Sequence, residues 1–207
     1  MAGAGGQKPV VGRVTHLMVD IDGVVVIGRP ADGAHWKTGL EADLGISAAD
    51  LKQHFFQPFW AQIVTGQLPL RPTLAGALAK CAPHLDATRL IGYWFSHDAR
   101  LDRAVLGHLA AARARGLKAY FATNQDHERA RYLWQELGLA RHGDGMIHSA
   151  RLGVAKPDPG FFEGAARITG AGPAQHLLID DSAANVSAAH AAGWQALHWT
   201  AQALWPG

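Results

Sequence analysis

The sequence has a single cysteine, Cys81, among its 207 residues. One thiol cannot form an internal disulfide or a cysteine-based zinc cluster, so both ways of stabilising a small domain are excluded. Cys81 lies in a stretch rich in Ala and Leu and is expected to be a small, buried or half-buried apolar side chain. The fold must therefore depend on a hydrophobic core, which the 48% of hydrophobic residues is sufficient to build.

The chain also lacks a strong charge of either sign and a long apolar run. Its formal net charge is +2, and its arginines are scattered over Ala-rich helical stretches, which is typical of solvated helix faces. No apolar run approaches the length of a membrane span, and residues 1–8 lack the apolar core of a signal peptide. We expect a cytoplasmic protein whose partners include neither nucleic acid nor a membrane. The sequence sets no oligomeric state.

Short apolar segments alternate with amphipathic helical segments along most of the chain. Strands are predicted at 13–19, 117–122, 145–148, 176–179 and 195–199. Helices are predicted at 100–115, after Asn124, from Asp158 and at 182–192. This alternation predicts an α/β fold with a doubly wound, parallel, Rossmann-like sheet and a buried central first strand. Residues 23–28, bounded by glycines, are expected to form an extended flap just beyond that strand.

Residues 29–98 break this alternation, because their pattern is mainly helical and no strand pattern interrupts it from 35 to 82. We expect a small helical insertion within a core domain of residues 1–28 and 99–207. Ser47 is predicted to begin a helix through a variant of the capping box, and Pro58 to end it. Residues 90–95 are compatible with a helix end, a short strand or a hinge loop. The insertion is expected to have its own modest core, formed by Trp36, Phe55, Phe56, Phe59, Trp60 and Ile63.

Polar side chains lie at or just beyond the ends of four predicted strands. They are Asp20 and Asp22, Thr123 and Asn124, Lys156, and Asp180 and Asp181. The carboxyl ends of parallel strands meet at one edge of a sheet, so these side chains are expected to meet there. Crowded carboxylates repel one another and raise each other's pKa unless a cation lies among them, and Mg²⁺ suits such oxygen ligands. Each group alone is also compatible with a turn, a helix cap or a surface loop, but the four together favour a site.

Four short segments carry a resemblance to a known family. They are DIDGV at 20–24, ATN at 122–124, KP at 156–157 and IDDS at 179–182. In this order they resemble motifs one to four of the haloacid dehalogenase superfamily. The resemblance covers essentially the whole chain outside residues 29–98. That insertion, called the cap from here on, corresponds in position to the family's helical cap.

The resemblance implies a role for each residue at the sheet edge. Asp20 would be the nucleophile that forms an aspartyl-phosphate, and Asp22 the general acid and then the general base. The Mg²⁺ ligands would be Asp20, the backbone carbonyl of Asp22, and the pair Asp180 and Asp181, with Asp181 in direct contact and Asp180 acting through water. The phosphoryl group would be bound by Gly23, Thr123, Asn124 and Lys156, and Lys156 would also act in catalysis by restraining Asp20.

The resemblance implies a Mg²⁺-dependent phosphatase that cleaves a small phosphomonoester such as a sugar phosphate, so the expected partner is a small phosphorylated metabolite. The family's dehalogenases lack a carboxylate at the second position of motif one, so Asp22 disfavours dehalogenation. A phosphomutase and a non-catalytic module that binds a phosphometabolite are the alternatives. The mutase is the weaker, because Asp32 stands where a cap histidine is expected and His35 is displaced.

Substrate choice is expected to depend on cap residues that face the cleft. Candidates are Trp36, His54, Trp60 and Gln62. His97 and Asp98, near the return to the core domain, are expected to mark a hinge.

Overall fold

The protein is described here from a computed structural model that covers residues 13–206. The expectation for residues 1–8, and the start of the predicted core domain, lie outside this range. The sheet has five strands: β1 (His16–Val19), β2 (Lys118–Thr123), β3 (Gly145–His148), β4 (His176–Asp180) and β5 (Gln195–His198). Their order is β3-β2-β1-β4-β5 and every neighbouring pair is parallel, which confirms the predicted α/β architecture.

The central strand β1 is buried on both faces of the sheet, as expected for a parallel strand covered by helices on each side. Because successive side chains point to opposite faces, Leu17 and Val19 pack with Leu109, whereas Met18 packs on the other side with Phe161. In register, His16 pairs with Lys118 of β2 and with His176 of β4. The carboxyl ends of β1, β2 and β4 are therefore level with one another.

From Trp36 onward the cap is built of helices joined by short turns. It contains α1 (Leu40–Leu44), α2 (Ala48–Leu51), α3 (Gln57–Val64), α4 (Leu70–Cys81) and α5 (Ala87–His97), with a 3₁₀ turn at Trp36–Gly39 before α1. These helices surround their own core, which includes Leu40, Phe55, Ile63, Leu74 and Trp94. The boundaries of the cap at residues 28/29 and 98/99 stay a prediction.

One prediction within the cap needs revision, and one that the sequence left open is decided. Pro58 does not end the helix begun by Ser47, because a π-helical segment at Lys52–Phe56 joins α2 to α3 and keeps the chain helical through Val64. In that segment the Gln57 N–H donates to the Lys52 carbonyl, five residues back, and Pro58 follows in the first turn of α3, where a missing N–H is tolerated. Residues 90–95, left open from the sequence, belong to α5.

In its described residues the core domain contributes five further α-helices, besides a π-helical segment at Tyr132–Glu136 and short 3₁₀ turns at Leu139–Arg141 and Pro173–Gln175. The α-helices are α6 (Arg103–Ala114), α7 (His127–Arg131), α8 (Ser149–Leu152), α9 (Pro159–Thr169) and α10 (Ala183–Ala191). Asp158 caps α9 with Pro159 at its start, as predicted. The helix expected directly after Asn124 begins three residues later, because Asp126 is its N-cap. Across residues 13–206 no helix is both long enough and apolar enough to cross a membrane.

The expected flap at residues 23–28 is wrong for its first half. Residues 21–26 form a tight turn in which the N–H groups of Val25 and Val26 both donate to the Ile21 carbonyl at 2.8 Å. The valines of this turn are buried in the core, which an exposed flap would not allow. Only the end of the segment is extended: Ile27 N–H donates to the Arg100 carbonyl and Arg100 N–H to the Gly28 carbonyl.

Candidate active site

The carboxyl edge of the sheet brings together the side chains that follow β1, β2 and β4. Asp20 directly follows β1, Thr123 ends β2 and Asp180 ends β4, and all three are buried. Lys156 comes from the loop between α8 and α9 and is buried as well. Residues that are far apart in the sequence therefore meet in one place because the strands are parallel and in register.

Lys156 is the buried cation of this edge. Its Nζ lies 3.2 Å from Oδ1 of Asp20 and 2.5 Å from Oδ2 of Asp180, and it donates to the Ala122 carbonyl at 2.6 Å. These three acceptors match the three donors of an ammonium group. Burial works against the charge of Lys156, but the two carboxylates outweigh it and raise the pKa of Lys156. Lys156 therefore stays charged and fixes both acids.

Asn124 supports Lys156 through its side chain. Its Nδ2 donates to the Lys156 carbonyl at 2.8 Å, and its Oδ1 accepts from the Lys156 N–H at 2.8 Å. This two-bond clamp ties the end of β2 to the loop that carries the lysine. The sequence assigned Asn124 to the phosphoryl group, and with the side chain engaged in this way such a contact would fall to its backbone N–H.

The two aspartates after β4 have different surroundings. Asp180 is fully buried and accepts from Asn185 Nδ2 and from the Ser182 N–H, each at 2.9 Å, besides Lys156. Asp181 is exposed, and ligand oxygens of Asp20, Asp180 and Asp181 all lie within 4.8 Å of one another. A hard cation such as Mg²⁺ suits this set of oxygens. Asn185 had no assigned role from the sequence.

Gly23 lies against the same cluster and has φ +78°, a left-handed conformation that favours glycine. A Cβ at this position would lie only 2.3 Å from Oδ2 of Asp181. Glycine is therefore needed both for the backbone conformation and for the close approach of the Asp181 carboxylate. Gly23 shapes the floor of the site without contributing a side chain.

The pKa values of the acids record their crowding. Burial raises the pKa of Asp20 to about 7, with Asp180 and Asp22 adding to the rise and Lys156 opposing it. Burial also raises the pKa of Asp181, and the charge of Asp180 adds to this. Three neighbouring carboxylates are thus only partly balanced by one lysine, and a divalent cation among them would relieve their repulsion.

Asp22 has an environment of its own on the cap side of the edge. It keeps solvent contact, yet the protein surrounding the cleft raises its pKa to about 6 by desolvation, against the opposing charge of Arg129. Gln125 Nε2 donates to Asp22 Oδ2 at 2.6 Å, and Gln125 is buried. A carboxyl group with a pKa near 6, held by one hydrogen bond, is suited to give and take a proton near neutrality.

Two residues of this region, Gln125 and Arg129, were missed by sequence reasoning. Arg129 is only 1% exposed and donates to the backbone carbonyls of Phe95 at 3.2 Å and Asp98 at 2.5 Å. Its Nη2 also lies 3.3 Å from the Asp98 carboxylate. Arg129 thus joins α7 of the core domain to the end of α5. Spacing within the motifs gave no signal for either residue, because their partners are distant in sequence.

The residues proposed for the hinge differ in what they contact. Asp98 takes part in the Arg129 contact between cap and core. His97 stays local, since its ring stacks on Tyr93 at 3.8 Å and its Nδ1 lies 2.8 Å from the Tyr93 carbonyl. Asp98, rather than His97, is therefore the residue that links the two parts of the chain.

The four cap residues proposed to face the substrate also differ in their surroundings. Trp36 is buried and stacks on Trp94 with ring centroids 5.2 Å apart, and Trp60 packs on Trp94 at 5.7 Å. His54 lines a groove between the π-helical segment and α4, which no residue of the sheet edge lines. Gln62 is exposed, and its carbonyl accepts from the turn after α3. The two tryptophans are primarily packing residues of the cap.

Comparisons with known proteins found a matching family model and relatives named as phosphatases. The family model for haloacid dehalogenase-like hydrolases matches residues 14–193. The plasmid phosphoglycolate phosphatase of Cupriavidus necator is 29% identical over 188 residues, which cover 86% of this chain and 78% of that protein. The phosphoglycolate phosphatase of Thiobacillus denitrificans is 27% identical over 186 residues, covering 86% and 79%.

A solved structure shares the fold. A HAD family enzyme from Bacteroides thetaiotaomicron, in complex with magnesium and inorganic phosphate, superposes with a TM-score of 0.76 and covers 93% of this chain and 97% of its own. The two sequences are 16% identical, so this likeness concerns the fold alone.

Proposed function

Because this chain belongs to the haloacid dehalogenase-like hydrolase family, we propose that it is a Mg²⁺-dependent phosphatase that acts on a small phosphomonoester. The observation that carries the proposal is the meeting of Asp20, Lys156 and Asp181 at one edge of the sheet. The phosphatase names of its relatives support the same reaction and make 2-phosphoglycolate the first substrate to test. Sugar phosphates, which the sequence suggested, are the next class.

The donor set supports Mg²⁺ as the cofactor. Asp20 and Asp181 would hold the ion together with the backbone carbonyl of Asp22, while Asp180 would act through water. The fold relative from Bacteroides thetaiotaomicron was obtained with magnesium and phosphate, which agrees with this choice. When bound, the ion would offset negative charge on the carboxylates and on the phosphoryl oxygens.

The chemistry needs one nucleophile and one acid. Asp20 is held for attack on phosphorus, since its Oδ1 accepts from the Ile21 N–H at 2.8 Å and faces Lys156. As the Asp20–phosphorus bond forms and the ester oxygen departs, Asp22 would donate its proton to that oxygen. Asp22 would then remove a proton from water, which attacks the phosphorus and releases phosphate and free Asp20. Gln125 would orient Asp22 for both transfers, Thr123 would donate to a phosphoryl oxygen, and the charge of Lys156 would stabilise the negative phosphoryl group.

The test is the release of inorganic phosphate by the purified protein. We expect turnover of p-nitrophenyl phosphate and 2-phosphoglycolate with MgCl₂ and its loss with EDTA. Asp20→Asn should lower kcat by at least about 10³-fold, because the nucleophile is removed. Asp50→Asn, at an exposed carboxylate of the cap, is the matched control and should leave kcat unchanged.

Full turnover by Asp20→Asn, with a normal melting temperature, would contradict the proposal. Release of an isomer instead of free phosphate would identify a mutase. Binding of Mg²⁺ and phosphate without turnover across a broad substrate panel would identify a binding module.

A further inference from the structure

A lysine of the cap lies on aromatic rings and lacks an acidic partner. The Nζ of Lys37 is 4.5 Å from the ring centroid of Phe56 and 5.2 Å from that of Trp36. Within residues 13–206, no carboxylate oxygen lies within ion-pair distance of Lys37. A half-buried ammonium without a counter-ion is costly to fold, so its presence calls for an explanation.

A second lysine adds to the same positive charge. Lys52 stands one turn before Phe56 on the π-helical segment and likewise has no ion pair among the described side chains. Burial lowers the pKa of Lys37, and the charge of Lys52 lowers it further. The charge of Asp98 opposes both effects but is not in contact, so within residues 13–206 the cap concentrates positive charge around Phe56 without an ion pair. Such a place attracts an anion.

The position of Lys37 in the cap connects it to the sheet edge. Its 3₁₀ turn, Trp36–Gly39, is the first helical turn of the cap, and Trp36 stacks on Trp94 of α5, one turn before Asp98. The end of α5 contacts the core domain beside that edge, because Arg129 of α7 bonds to the carbonyls of Phe95 and Asp98, and Gln125, just before α7, bonds to Asp22. The turn that carries Lys37 therefore packs on the part of the cap that contacts the core domain next to Asp22.

A neutral donor accompanies the cation. The indole N–H of Trp94 is buried and has no hydrogen-bond partner within the described part of the chain. The Trp94 ring packs against Trp36 and Phe56, the two rings under Lys37. Buried donors are normally paired, so this unpaired indole is consistent with a site that a ligand completes.

We propose that Lys37 is the specificity-determining residue of this chain and binds a second anionic group, a carboxylate, at the end of the substrate opposite its phosphoryl group. This inference rests on the proposed function and narrows it to small phosphorylated carboxylic acids. A carboxylate is favoured over a second phosphate because Lys37 is half-buried and balances one negative charge, whereas Lys52 is exposed and screened by solvent.

The experiment compares 2-phosphoglycolate with its neutral amide, 2-phosphoglycolamide, in the wild type and in Lys37→Met. A hydrogen bond to a charged group contributes about 1.5–3 kcal/mol, so the wild type should prefer the acid by roughly 10- to 150-fold in kcat/KM. In Lys37→Met this ratio should fall toward one, mainly through a higher KM for the acid. Lys80→Met, at an exposed lysine of α4, should keep the wild-type ratio.

The possible results separate cleanly. An unchanged ratio in Lys37→Met, or an equal loss on both substrates, would overturn the inference. A higher kcat/KM for the bisphosphate of ethane-1,2-diol than for 2-phosphoglycolate would also overturn the choice of a carboxylate. If the wild type hydrolyses neither substrate, the proposed function fails. The role of Lys37 is then tested separately, by measuring the affinity for 2-phosphoglycolate with titration calorimetry. The single variant Asp20→Asn should bind 2-phosphoglycolate at least tenfold more tightly than the double variant that also carries Lys37→Met. Equal affinities of the two variants would overturn the inference.

Discussion

Replacement of Arg129 by methionine is expected to destabilise the protein strongly, although Arg129 touches neither the nucleophile nor the metal ligands. The substitution removes two hydrogen bonds to the carbonyls of Phe95 and Asp98 and leaves the Asp98 carboxylate without its partner. It also removes a guanidinium that lies 5.0 Å from the Phe95 ring centroid. The substitution therefore weakens the contact between the core domain and the last helix of the cap.

The magnitude follows from burial. Breaking a buried ion pair by removing one partner costs about 3–5 kcal/mol, a large share of the roughly 5–15 kcal/mol that stabilises a typical domain. For a chain of this size that change lowers the melting temperature by roughly 6–20 °C. Arg129→Lys keeps the charge but loses the fork of donors, so about half of the effect is expected.

The assay is thermal and urea-induced unfolding followed by circular dichroism, with Arg131→Met as the control. Arg131 is in the same helix, but its side chain is 61% exposed and its ion pair with Glu136 is at the surface. Such pairs contribute about 0–1 kcal/mol, so the control should unfold like the wild type. If Arg129→Met unfolds within about 1 kcal/mol of the wild type, the contact between Arg129 and the end of α5 does not stabilise the protein.

Two further predictions concern the sheet edge. Gly23→Ala should raise the Mg²⁺ concentration needed for half-maximal activity at least tenfold, because the new Cβ would displace the Asp181 carboxylate; a magnesium titration measures this, and an unchanged requirement would contradict it. Stabilisation by Mg²⁺ should depend on pH. The pKa of Asp20 is about 7 in the folded protein and about 3.8 in the unfolded chain, so the free energy of unfolding of the metal-free protein falls as pH rises from about 3.8 to about 7. Mg²⁺ binds the ionised acids, so its stabilising effect grows over the same range. The rise in melting temperature with MgCl₂ over EDTA should therefore be small at pH 5 and largest at pH 8, and equal rises would contradict the linkage.

The sequence predicted what depends on local pattern. Strands appear as apolar runs, and parallel strands place the residues at their carboxyl ends at one edge, so the meeting of Asp20, Thr123 and Asp180 followed from topology. Ser47 and Asp158 were correctly identified as caps, because a cap bonds to a residue only two or three positions away. The helical character of the cap up to α4 followed from the same kind of short-range periodicity, whereas α5 was left open.

What the sequence did not predict depends on partners distant along the chain or on local geometry that tertiary packing selects. Gln125 bonds to Asp22 across 103 positions, so nothing near either residue signals the contact. Pro58 was expected to end a helix, because the π-helical turn that accommodates it has no simple sequence pattern. Residues 23–28 were expected to be extended, whereas burial of three consecutive valines requires the chain to turn back on itself.

The balance of charge at the sheet edge sets an order of events. When ionised, Asp20, Asp180 and Asp181 carry three negative charges, and within the described residues Lys156 is the cation in contact with them. Lys156 is shared by two of these acids, so a deficit equivalent to one divalent cation remains. A phosphomonoester dianion entering that deficit would be repelled at short range. Mg²⁺ should therefore bind before the substrate, and the affinity of the metal-free protein for inorganic phosphate should be weaker than that of the Mg²⁺-bound protein.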